Sequence, residues 1–323
     1  MPRDTGSAAR FWGMPRRAEG ARHLSFAELA DHFRGSVHLL CYRLTGSFED
    51  AVRLTYDTFL TAWRLRYSAP ADMQGWLMAM AVRGCIEHAR RRRPAPPRPL
   101  PPVSCIPRSE VTWLQPYPDR LLPDDVDADT ISLPFVIASQ TLRPRDRAAL
   151  VLTDVEGWSL SRVAGALRMP NADVEPLLAR TRTTIAARRS PTPPDPNEDQ
   201  LLDRLQIGYA AGDVGLIDAL VDDDVHVTMP PLPFCFEGRA AVVGVLRHVF
   251  ATANPGGRGL RRTVPTRANR QGAFAVYVRP DPDPEAEFRG HELVVARTEA
   301  GRVVELALFE PHLFPVFGLP SDL

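Results

Sequence analysis

Residues 133–189 read LPFVIASQTLRPRDRAALVLTDVEGWSLSRVAGALRMPNADVEPLLARTRTTIAARR, and this stretch decides how the rest of the chain is read. Leu150, Leu152 and Val155 give a short apolar helix. The step Gly157-Trp158-Ser159 stops it and restarts the chain, with Ser159 placed as an N-cap. Leu160, Val163, Ala164 and Leu167 recur at helical spacing behind that cap. The turn Arg168-Met169-Pro170-Asn171 leads into a second helix over 172–188, capped by Asn171, with Arg180, Arg182, Arg188 and Arg189 toward its far end. Two short helices joined by a tight turn, the second ending in arginines, have the helix-turn-helix geometry that lays a helix in a DNA major groove. A three-helix piece of core with a solvated basic end fits the same pattern, so the flanking sequence has to arbitrate.

At 323 residues the chain can hold two or three domains. It has 39 basic residues, all arginine, and 39 acidic ones, for a formal net charge of zero. The charge is unevenly spread: +3 over 1–23, +3 over 24–93, −3 over 94–130, +4 over 131–190 and −7 over 191–323. Two basic segments suited to DNA are thus followed by an acidic C-terminal third. The four cysteines (Cys41, Cys85, Cys105, Cys235) form no CxxC and no metal-ligand spacing, which argues against a disulfide framework or structural zinc. No apolar run approaches the ~18 residues of a membrane span. The first residues lack the apolar core of a signal peptide. A soluble, cytoplasmic protein without a membrane partner, metal or cofactor is expected.

The pattern divides into bodies and linkers. Residues 1–23 read as a disordered basic N-terminus. Residues 24–93 form an all-α bundle. Phe26, Leu29, Phe33, Val37, Leu40 and Leu44 mark its first helix, and Ser47 with Asp50 resembles a capping box for the second, over about 48–66. The third begins near Asp72 and runs into His88-Ala89-Arg90-Arg91-Arg92-Arg93 before Pro94. Residues 94–130 are a proline-rich linker, expected to be extended, although WLQPYPDRLL within it is apolar enough to dock. Residues 131–190 carry the helix-turn-helix, and 191–196 a shorter breaker. Residues 197–323 read as helices followed by a curved antiparallel sheet, an α+β cone.

These segments, in this order, resemble an extracytoplasmic-function sigma-70 family RNA polymerase sigma factor with a C-terminal SnoaL-like domain. The resemblance rests on LTGSFEDA, TFLTAW and GWLMAMAVRGCIEHARRRR for sigma region 2, and on LRPRDRAALVLTDVEGWSLSRVAGAL for region 4. For the tail it rests on MPPLPFCFEGRAAVVGVL and LFPVFGLP. It implies two all-α helical domains plus the α+β cone, with RNA polymerase core and promoter DNA as partners. Region 2 would read the −10 element and region 4 the −35 element. Asp50, Leu54, Asp57, Phe59 and Trp63 would then face the polymerase clamp. Arg83, His88, Arg90, Arg91, Arg92 and Arg93 would neutralise phosphates at −10. In the recognition helix, Asn171, Ala172, Asp173 and Glu175 fall where bases are read, and Arg180 and Arg182 where phosphates are held.

The chain departs from the family pattern at four positions. Val52 and Arg53 stand where the family usually shows two acidic residues. Glu175 replaces a more usual basic or amide residue, and Pro176 lies inside the recognition helix, where a true interior proline costs about 3 kcal/mol. In the tail, His226, His291, Glu292, Glu310 and His312 are polar candidates with no fixed catalytic spacing. The expected role of the cone is regulation of the sigma half in cis, with any small-molecule ligand of the cone left unspecified by the sequence; the rival is a SnoaL-type enzyme or ligand sensor with a degenerate sigma portion. The apolar run Leu313–Leu319 either docks elsewhere or closes the cone's own core.

Overall fold

The structure is a computed structural model that describes residues 26–65, 70–91, 106–107, 114–188, 195–230, 232, 234–252, 260–279 and 286–323. The basic N-terminus and the linker stretches 92–105 and 189–194 lie outside these. The described residues fall into two compact units. The first holds the helices up to Arg91, Leu114–Tyr117, and the chain from Leu121 through the helix-turn-helix. The second holds Pro118–Arg120 and the C-terminal third.

The first unit begins with α1 (Phe26–Thr45), α2 (Phe48–Arg64) and α3 (Met73–Arg91). Gly46, at φ 68°, lets the chain leave α1 through the left-handed region. Ser47 then caps α2, its hydroxyl accepting from the Asp50 N–H at 3.1 Å, as the capping spacing predicts. Val37, Leu40 and Leu44 of α1, Ala51 and Ala62 of α2, and Leu77 and Ala81 of α3 are all buried. The apolar periodicity read along 24–93 is therefore the periodicity of this core.

The linker does not stay extended along its whole length. The Gln115 side chain accepts from the Glu49 N–H at 2.9 Å and from the Ser47 hydroxyl at 3.0 Å, a second cap on α2. Tyr117 is fully buried, its ring 4.9 Å from Tyr42, 5.3 Å from His38 and 5.4 Å from Phe48. Its hydroxyl lies 2.9 Å from His38 Nδ1. Burial pushes the Tyr117 hydroxyl well up and drops His38 to about 3, so both stay neutral. Short 3-10 turns at Asp119–Leu121 and Ala128–Thr130 fold the remainder. Burial of aromatic and leucine side chains outweighs the extended preference of the prolines here.

The helix-turn-helix body follows as α4 (Leu133–Gln140), α5 (Pro144–Leu150), a π-helical turn (Val151–Val155), α6 (Leu160–Leu167) and α7 (Asn171–Arg188). It shares one unit with α1–α3, and two buried arginines hold it there. Arg147 donates to the carbonyls of Leu44, Gln140 and Leu142 and to the Gln140 side chain. Arg43 pairs with Glu156 at 2.9 Å and donates to the Thr130 hydroxyl at 2.9 Å. Burial works against charge on both partners: it lowers Arg43 and raises Glu156, while each opposes the other's shift. In sequence these arginines look like ordinary surface charge.

The second unit places α8 (Glu198–Ala211), α9 (Val214–Leu220) and α10 (Arg239–Thr252) with a seven-stranded sheet. Its strands are β1 (Ile106–Pro107), β2 (Val221–Thr228), β3 (Phe234–Glu237), β4 (Leu260–Ala268), β5 (Gln271–Arg279), β6 (Arg289–Glu299) and β7 (Arg302–Phe309), in the order β1-β3-β2-β7-β6-β5-β4. The sheet is mixed rather than purely antiparallel, because β2 runs parallel to β7. Leu205 and Tyr209 of α8, Leu246 and Phe250 of α10, and Phe274, Val276 and Val294 of the sheet share one apolar core. The linker residues of this unit are anchored too. Asp119 accepts from the Arg270 N–H at 2.8 Å, and Arg120 donates twice to the Val316 carbonyl. The run Leu313–Leu319 closes its own unit. A short helix, α11 (Phe314–Phe317), buries Phe314 and Phe317, with Phe314 edge-on to Tyr277 at 5.1 Å.

Candidate functional site

A groove of about 450 Å³ runs between α2 and α3 of the first unit, lined among others by Leu54, Asp57, Trp76, Met80, Arg83 and His88. Residues expected to face polymerase and residues expected to face DNA thus border one surface feature. At one end Asp50 gathers two neighbours: Arg53 at 2.8 Å, and His88 Nε2 at 3.2 Å, while Arg53 also lies 3.0 Å from His88 Nδ1. The Arg53 charge, a departure from the family pattern, is therefore offset by its own helix.

The outer face of α2 carries Tyr56, Leu60 and Trp63, which are 59%, 38% and 45% exposed. Spacings of four and three place them on one stripe. Large apolar side chains left in water along a helix mark a contact surface. Of the residues expected at the clamp, Trp63 lies on this stripe, and Asp57 and Leu54 line the groove. Leu54 is 7% exposed and Phe59 9%, so Phe59, three residues from Tyr56 and four from Trp63, is packed into the core at the edge of the stripe. Tyr56 and Leu60 were not among the residues expected at the clamp. The available signal was the width of the apolar surface: α2 has more apolar residues around its circumference than one buried face can hold.

Of the basic residues on α3, Arg83 borders the groove, its charge disfavoured first by burial and then by the nearby Arg168 of the helix-turn-helix turn. Arg91 bonds Glu87 at 2.7 Å, and Arg90 lies 4.0 Å from the same carboxylate. Arg92 and Arg93 lie outside the described residues.

In the helix-turn-helix, Ser159 caps α6 by accepting from the Arg162 N–H, and Arg168 closes it at φ 51°, a left-handed C-cap without glycine. Val174, Leu177, Leu178, Thr181 and Ile185 bury one face of α7. Asn171, Ala172, Asp173, Glu175, Pro176 and Arg180 lie on the opposite, exposed face. Pro176 does not break α7, which runs on to Arg188; the proline is on the water side, where the carbonyl it leaves unbonded can be hydrated. Arg182 is exposed but donates to both oxygens of Asp154 at 2.9 and 2.6 Å, and this pairing raises its pKa. Part of its charge is neutralised by this pairing.

The polar candidates of the cone are dispersed. His226 points away from the core that Val225 and Val227 enter and lies 4.0 Å from Glu237. Glu310 and His312 pair with each other at 3.3 Å, both about half exposed. His291 is lowered by burial and by Arg261, and only Glu292 enters the interior. No cluster of three metal-ligating side chains occurs among the described residues. No described helix is long and apolar enough to cross a membrane.

The described chain is thus a set of helices that includes a helix-turn-helix, followed by an α+β cone. No protein-family model matches the chain. The ECF RNA polymerase sigma factor SigG of Mycobacterium tuberculosis is 33% identical over 324 residues, spanning 94% of this chain and 86% of that protein. SigJ of the same organism is 29% identical over 199 residues, 59% of this chain and 61% of that one. The crystal structure of Mycobacterium tuberculosis SigJ superposes with a TM-score of 0.61 at 21% identity, covering 92% of this chain and all of that one, a likeness of fold. The chain belongs to the family of extracytoplasmic-function RNA polymerase sigma factors.

Proposed function

We propose that this chain docks on RNA polymerase core through the exposed face of α2 and carries it to promoters, where α3 meets the −10 element and α7 the −35 element. The observation that carries the reading is the stripe Tyr56, Leu60 and Trp63, left in water beside the groove that Leu54 and Asp57 line. Exposed aromatic anchors beside polar residues are what a protein partner buries. Phosphates would be met by Arg83, His88 and Arg90 to Arg93 on the region 2 side and by Arg180 and Arg182 on α7, with Asn171, Ala172, Asp173 and Glu175 toward base edges. The chain acts in the cytoplasm as a regulator and not as an enzyme, and the acidic cone modulates the sigma half in cis.

The test is retention of RNA polymerase core by the immobilised full chain. Trp63→Ala and Tyr56→Ala are expected to weaken retention at least tenfold each while the helical content is unchanged. Retention equal to the unaltered chain by both variants would refute docking through α2. A chain ending near residue 195 addresses the cone: higher promoter-dependent transcription from it supports a restraint in cis, and unchanged output rejects one.

A further inference from the structure

Apart from the groove between α2 and α3, the first unit holds another hollow, whose charge the proposed function leaves largely unused. It measures about 450 Å³ and is lined by Ile86 and Arg90 near the end of α3 and by Arg143, Pro144, Arg145 and Asp146 at the start of α5. That volume lies in the range of small-ligand pockets. Three arginines, from two chain segments about fifty positions apart, thus border one space. All three are exposed, so a ligand reaches them from solvent.

Their charges are poorly compensated. Arg143 makes no side-chain hydrogen bond or ion pair with a described residue. Arg145 donates to the Leu167 carbonyl at 3.2 Å, a neutral group. Arg90 comes no closer than 4.0 Å to Glu87, whose carboxylate bonds Arg91 at 2.7 Å instead. Asp146 is the one carboxylate of the lining, and three arginines against one aspartate leave two positive charges.

A cleft lined by one sign of charge against apolar walls, here Ile86 and Pro144, concentrates ions of the other sign. The planar fork of arginine matches phosphate oxygens two at a time. We propose that this hollow binds a small polyphosphate anion carrying at least two negative charges. Arg90, Arg143 and Arg145 donate to its oxygens, and Asp146, by cancelling one positive charge, sets the charge the ligand must bring. The site does not depend on docking through α2. Arg90 alone is shared with the −10 contacts, so the test leaves it unaltered.

Calorimetric titration of the full chain at constant ionic strength, with sodium tripolyphosphate and with orthophosphate, tests the proposal. Tripolyphosphate is expected to bind one to one, at least tenfold more tightly than orthophosphate, and to raise the melting temperature. Arg143→Gln and Arg145→Gln are each expected to weaken it at least fivefold. Arg204→Gln removes the same charge from an exposed position on α8 and should leave the affinity unchanged. Arg143→Gln breaks no described side-chain bond, so it reads the site even if Arg145→Gln disturbs α5. No binding of tripolyphosphate, an affinity equal to that of orthophosphate, or a loss from Arg204→Gln as large as that from Arg143→Gln would each overturn the site. A short DNA duplex of arbitrary sequence separates the two sources of phosphate. If Arg143→Gln weakens binding of the duplex but not of tripolyphosphate, the arginines serve a nucleic-acid backbone and the proposal fails. None of these readouts involves polymerase, so failure here leaves the docking reading untouched.

Discussion

Replacing Tyr117 tests whether the proline-rich linker is a spacer or part of the folded helical unit. The side chain is fully buried among His38, Tyr42 and Phe48, and its hydroxyl lies 2.9 Å from His38 Nδ1. Tyr117→Phe keeps the ring and removes the hydroxyl from a buried imidazole nitrogen, at a cost of about 1–2 kcal/mol. Tyr117→Ala also empties a cavity between three aromatic rings, for a total of about 3–5 kcal/mol. Against a typical domain stability of about 5–15 kcal/mol that is a large fraction. Urea unfolding of the full chain, followed by far-ultraviolet circular dichroism, reads mainly the helical unit. With a slope of about 2 kcal/mol per molar, the alanine variant should lower the midpoint by about 2 M and the phenylalanine variant by about 0.5–1 M. An alanine midpoint equal to that of the unaltered chain would refute docking of residues 114–117. Equal losses from both variants would place the whole effect in the hydroxyl and refute the ring packing.

His38, held neutral with its pKa near 3 by burial, makes the helical unit acid-sensitive. Its depressed pKa contributes stability that is fully present above about 6.5 and is lost as pH falls toward 3, at about 1.4 kcal/mol per pH unit. The urea midpoint should therefore drop between pH 7 and pH 5 by the equivalent of about 2 kcal/mol, and a midpoint unchanged over that interval would contradict a neutral buried imidazole. Phe59→Ala should destabilise the helical unit by about 3–4 kcal/mol, whereas Trp63→Ala should cost under about 1 kcal/mol, as the two melting temperatures will show. Glu156→Gln leaves the buried Arg43 guanidinium without its counter-charge and should cost about 3 kcal/mol in the same urea assay. A loss below about 0.5 kcal/mol would mean that Arg43 and Glu156 do not hold the two helical bodies together.

Much of the architecture was legible because it is local. Ser47 and Asp50 announced the start of α2 and Ser159 the start of α6, each through one or two residues whose side-chain chemistry acts within its own turn. The sheet was less so. β3 was not anticipated, and the parallel pairing of β2 with β7 joins residues about eighty positions apart, which no local pattern encodes. On α2, Phe59 lies in the core and Trp63 is exposed, although both were expected at the clamp, and the exposed Tyr56 and Leu60 were not among the residues expected there.

By itself the sequence determined that helices, a helix-turn-helix among them, come first and that an α+β body follows. Helical spacing, caps and strand alternation are set by residues within reach of one another along the chain. Tertiary structure alone decided that Arg43 and Arg147 would be buried anchors rather than surface charge, and that Tyr117 of a proline-rich linker would lie in a core. It likewise decided that Tyr209 would be fully buried, its hydroxyl without a hydrogen-bond partner among the described residues. In each case the outcome depends on which distant segment supplies the opposing carbonyl, carboxylate or ring, and the energy of a buried polar group is fixed by those partners and not by its own neighbours in sequence.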